Sequence, residues 1–330
     1  ENPLGALNLF TALAAGGACA MLAAFVAGAA ARFTPKPLAG LAGVLAAGCF
    51  AAAPATLNAS VSAHPAPFSV AAALTALACL LRATDTPRPA GWTVAAGAAA
   101  GLAAANHPTL LLLGPMLLFA VLLIPGHPGT TLGRRLAALL IPFAVCALLP
   151  AATALLRGES LRQFLHHALA TPYPVPFEAP PELGFGRRLL ELLPPRILLF
   201  AAPGLVMLMI PRARPAAWLA LALLCILGPL LPALTNQYAG PASPIDQSAP
   251  SLLVLAVLCA FIGWGGALLA NAAFRPLRAP FPRAATAGVC LAGLLAALWP
   301  TLPEPGHGHA RRLGQYLLNA CPRNGVVVSG

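Results

Sequence analysis

From Ala90 to Ile124 the chain reads AGWTVAAGAAAGLAAANHPTLLLLGPMLLFAVLLI, an apolar run with Asn106, His107 and Pro108 near its middle. One membrane-crossing helix needs about 20 apolar residues, so a stretch of this length predicts two shorter helices meeting at a break. Pro108 has no amide hydrogen and crowds the turn before it, which places the break at Asn106–His107. Polar side chains at such a depth must face protein or water, because lipid gives them no hydrogen-bonding partner.

The rest of the chain follows the same plan. It is 59% hydrophobic and 8% charged, with a mean hydropathy of +0.82. Soluble domains carry about 25% charged residues, so a water-soluble fold is excluded on composition. Apolar segments fall at 8–31, 38–57, 66–81, 92–106, 108–124, 136–156, 195–210, 216–235, 250–273 and 284–302. The expectation is an all-α polytopic membrane protein of about ten transmembrane helices over residues 1–302. Residues 303–330, with a helical stretch at 309–321 and the strand-like Val326–Val328, are expected to begin a soluble outer domain. Glu1 opens the chain without a signal-peptide layout and Val326–Gly330 reads as an unfinished strand. The sequence is therefore expected to be a fragment of a longer protein.

The formal charge of +11 does not point to nucleic acid, because the basic residues lie singly or in pairs between apolar runs rather than in one patch. Sorted by alternate loops, they fall into a pattern. Arg32 and Lys36, Arg82 and Arg88, Arg134 and Arg135, Arg212 and Arg214, and Arg275, Arg278 and Arg283 occupy short connections in which Asp85 is the lone acid. The other seven of the eight acids lie in the alternate loops and at the ends. Short basic loops stay in the cytoplasm, so the expected location is the cytoplasmic membrane with the acidic loops and the tail outside. The eight cysteines form no C-x-x-C pair, and seven sit inside apolar runs as small hydrophobes.

The outward loops hold the candidate site. His64, in SVSAHPAP, is either a group at an outer cavity or a helix-ending residue beside proline. Asn106 and His107 either line a site or tie two half-helices together. Glu159, Arg162, His166 and His167 share the stretch GESLRQFLHHALA, where seven residues, about two helical turns, separate Glu159 from His166. They read as acid/base or phosphate-recognising groups, or as a solvated loop helix. Asn236, Gln237, Tyr238 and Asp246 belong to the most polar outward turn, with a helix N-cap as the competing role for Asp246. Arg187–Leu193 (RRLLELL) reads as an amphipathic segment on the membrane surface. His307 and His309 lack further ligands nearby in sequence, so no metal site is expected.

Four segments carry a resemblance: NPLGALNLFTALAA (2–15), GLAAANHPTLLLLGP (101–115), RGESLRQFLHHALATPY (157–173) and QYLLNACPRNGVVVSG (315–330). In the same order, they resemble the bacterial protein O-mannosyltransferase-like membrane family, glycosyltransferase family 117 of the GT-C superfold. The resemblance implies an enzyme that passes a sugar, mannose in the first instance, from a polyprenyl-phosphate donor to a hydroxyl of an exported protein on the outer face. It implies no cofactor beyond that lipid-linked donor. Its partners would be the polyprenyl-phosphate sugar, the exported acceptor and membrane lipid, with no nucleic acid. The catalytic acid of such enzymes belongs to a first outer loop, which here would precede Glu1. Where the family carries an acid with a tyrosine, this chain has Ala63, His64 and Pro65. Arg157, Arg162, Arg187 and Arg188 are the expected holders of the donor phosphate. A transporter or lipid flippase built on the broken helix, or a non-catalytic membrane scaffold, are the competing readings.

Overall fold

The computed structural model describes residues 3–61, 65–86, 89–123, 131–158, 195–227 and 249–273, together with single positions at 160, 193, 285 and 288. All regular structure among them is helical. The helices are α1 (Pro3–Ala30), α2 (Lys36–Ala52), α3 (Pro54–Val61), α4 (Ala66–Asp85), α5 (Pro89–Asn106), α6 (Leu113–Leu123), α7 (Leu132–Ala147), α8 (Leu149–Leu156), α9 (Arg214–Cys225) and α10 (Ala249–Ala273). A 3-10 turn, Pro108–Leu112, joins α5 to α6, and the segment from Pro195 to Leu208 consists of one-turn helices and a second 3-10 turn.

Proline ends two of the helices. Ala53 is extended (φ −66°, ψ 135°) ahead of Pro54, and α2 and α3 meet there at 67°. His107 is extended (φ −140°, ψ 101°) ahead of Pro108 and ends α5. In both places the ring of the proline excludes the helical region for the residue before it.

The expectation of about ten spans is corrected here. Among the described residues, four stretches are long and apolar enough to cross a membrane, Gly5–Ala30, Ala66–Asp85, Leu132–Leu156 and Ala249–Ala273, or five if the bent pair α2–α3 counts as one. The apolar run at 195–210 is cut into single turns between Pro195, Pro203 and Pro211, and α6 is too short to cross alone. The expected span at 284–302 and the expected outer domain at 303–330 lie outside the described residues, apart from positions 285 and 288.

The core is built around α10. Its Trp264, Phe261, Val257 and Leu253 are buried, and it packs on α1, α2, α4 and the 201–204 turn. Trp264 stacks edge-on against Phe261 (centroids 5.3 Å apart) and donates its indole N–H to the Val26 carbonyl of α1 at 3.1 Å. With no hydrophobic force between helices in lipid, close backbone approach does the work of packing. Gly97 and Gly101, four residues apart on one face of α5, show it. A β-carbon at either would collide with the backbone carbonyls of Leu139 and Phe143 on α7. On its other side the α7–α8 pair presents Ile141, Val145, Leu148 and Leu156 outward. Apolar side chains on that scale face lipid comfortably and water poorly.

Candidate functional site

The helix α4 is about 30 Å long at 1.5 Å per residue over its 20 residues, enough to separate two polar clusters by the thickness of a bilayer core. The clusters at its two ends are chemically different.

At the Ala66 end, the Asn106 amide closes the gap between α5 and α4. Its Nδ2 donates to the Pro65 carbonyl at 2.9 Å and to Ser69 Oγ, on a fully buried residue, at 2.6 Å. Both amide hydrogens are committed to α4, so what Asn106 can offer a ligand is Oδ1, an acceptor for a hydroxyl and never a base. The backbone around it continues the break: His107 N–H donates to Ala103 O at 3.0 Å, and Leu110 N–H to His107 O at 2.9 Å. Pro65 is the residue that follows His64 in sequence. Two candidate segments, SVSAHPAP and ANHP, thus meet at one end of the bundle.

At the Asp85 end, the Arg32 guanidinium binds two separate stretches of chain, Leu81–Asp85 and Arg212. Nη1 donates to the Arg212 carbonyl at 3.1 Å. Nη2 donates to the Leu81 carbonyl at 3.1 Å, to the Thr84 hydroxyl, and to Asp85 Oδ1 at 2.8 Å. Arg32 is 12% exposed and Asp85 51%, so one partner of the ion pair is sheltered and the other wet. The Nε of Arg32 is buried with no hydrogen-bond partner. Beside this network lies a cavity of about 570 Å³ lined by α1, α4 and α5, with Arg32, Arg82, Asp85 and Trp92 among its residues.

Of the residues expected at the site, Asn106 and His107 are in the described structure, next to each other at the break, and Arg157 is there too, exposed at the end of α8. His64, Glu159, Arg162, His166, His167, Asn236, Gln237, Tyr238 and Asp246 lie outside the described residues, as does Arg187–Glu191 of the amphipathic segment. Ser69 was missed because nothing in FSVAAAL marks one serine of an apolar helix as the partner of an amide 37 residues away. Arg32 and Asp85 did leave a signal: a single acid among short basic loops is the exception that a specific ion pair explains. No group of three or more metal-ligating side chains occurs among the described residues.

No family model, curated protein or solved structure matches this chain.

Proposed function

We propose that the chain is the membrane body of a GT-C-type glycosyltransferase. It would move a sugar, mannose in the first instance, from a polyprenyl-phosphate donor to a hydroxyl of an exported protein. The observation that carries this reading is the junction of ANHP with the Pro65–Ser69 start of α4. One of the four segments that carry the family resemblance is there held against Pro65 and Ser69, at the end of α4 remote from the basic loops. In this reading that end faces outward, where exported acceptors are found. Asn106 Oδ1 holds a sugar or acceptor hydroxyl, and the base is a carboxylate supplied from outside the described residues. The helical body gives the polyprenyl chain an apolar path from the bilayer to the transfer site.

The test is transfer itself. Membranes carrying the full-length protein, given radiolabelled polyprenyl-phosphate-mannose, are expected to label an exported acceptor protein, and Asn106→Ala is expected to lower the rate by about tenfold, the cost of one transition-state hydrogen bond. Absence of labelling across a panel of polyprenyl-phosphate sugars would overturn the proposal. The helix break also favours a second reading, a transporter or flippase, since interrupted helices with polar groups line transport sites. Movement of the lipid-linked sugar across vesicles with no product formed would select it.

A further inference from the structure

The cavity between α1, α4 and α5 has a polar end and an apolar length. Its polar end is set by Arg32, Arg82 and Asp85 with Trp92 beside them, and its apolar length by residues such as Met21 and Cys79. From Thr75 to Asp85 on α4 is about 15 Å along the helix. A volume of about 570 Å³ lies within the range of small-molecule sites, about 300–1,000 Å³. Two features say what kind of molecule suits it. Two arginines against one aspartate leave the polar end net positive, and Asp85 already has a partner in Arg32. Arg82 is exposed and in no ion pair among the described residues, and Trp92 is 43% exposed in the first turn of α5, as an aromatic at the headgroup level is.

We propose that this cavity binds an anionic phospholipid, its phosphate between Arg82 and Arg32 and one acyl chain along the α1–α4 groove. Basic pockets between membrane helices select anionic headgroups, each arginine near the surface contributing about fivefold in affinity. A zwitterionic lipid brings its own cation to the same place and loses that advantage. The site lies at the opposite end of α4 from Asn106 and stands or falls apart from the transferase reading.

The experiment uses the full-length protein in nanodiscs of phosphatidylcholine, with brominated phosphatidylglycerol or brominated phosphatidylcholine titrated in. The readout is the quenching of Trp92, taken as the difference between the protein and its Trp92→Phe variant. Brominated phosphatidylglycerol is expected to quench at several-fold lower mole fraction than brominated phosphatidylcholine. Arg82→Gln is expected to reduce that preference about fivefold with an unchanged melting temperature, and Arg82→Lys to retain it. Equal quenching by the two lipids would overturn the proposal, as would a preference that survives Arg82→Gln. Displacement by millimolar inorganic phosphate would show a free-anion site instead, and tighter competition by polyprenyl phosphate would reassign the groove to that lipid; either result overturns the phospholipid assignment.

Discussion

The two ends of α4 are tied down by different chemistry. At the Ala66 end a neutral amide bridges two helices with two hydrogen bonds, and at the Asp85 end a guanidinium collects a carboxylate, a hydroxyl and two carbonyls. A neutral tie can be placed at the edge of the apolar zone at little cost and leaves an acceptor over for a ligand. A charged tie needs water or a counter-charge nearby, and Arg32 has both, through half-exposed Asp85 and the cavity beside it. The difference teaches that one end is built to be shaped and the other to be anchored.

The comparison can be broken most forcefully at Arg32. Arg32→Ala removes the donor to four acceptors and is expected to cost about 3 kcal/mol, read as a lower midpoint in reversible detergent unfolding. Next comes the seating of α5 on α7. Gly97→Val places a branched side chain on the Leu139 carbonyl and is expected to cost about 2 kcal/mol in the same assay. A Gly97→Val protein as stable as its parent would show that α5 and α7 do not touch there. At the neutral end, Asn106→Ala is expected to cost about 1 kcal/mol, with Ser69→Ala adding little in that background because the two share a bond. The smallest effect belongs to Asp85→Asn. Arg32 keeps its two carbonyls and the Thr84 hydroxyl, so the loss is expected to be about 0.5 kcal/mol and to vanish in high salt. An Asp85→Asn loss as large as that of Arg32→Ala would mean the ion pair, and not the neutral acceptors, holds this end.

How much of this was legible beforehand differs between the levels. Helicity and an apolar body followed directly from composition, and the break at His107–Pro108 from the rule for residues before proline. Hydropathy overstates the number of spans because it does not register that Pro54 bends the 38–57 run or that the 195–210 run forms only short turns. Glycine approach was legible in kind, since GAAAG places Gly97 and Gly101 on one face, while the partner helix α7 is a tertiary fact that no local pattern carries. For the site, the sequence pointed to Asn106 as polar at depth but left its role open between ligand and tie; the geometry assigns its two donors to the tie. Arg32 was read as a loop charge setting orientation. Its network with residues about 50 and 180 positions away has no signature in spacing.

The indole of Trp264 reaches back 238 residues to the Val26 carbonyl, joining the final long helix described to the first. A ribosome adding about 5–20 residues per second needs about 10–50 s to make that interval. Until then the face of α1 and α2 that α10 covers is without that helix. Insertion and completion of this bundle are thus separate events in the life of the chain, and whatever shields that face in the meantime, lipid or insertase, has to leave before α10 can enter.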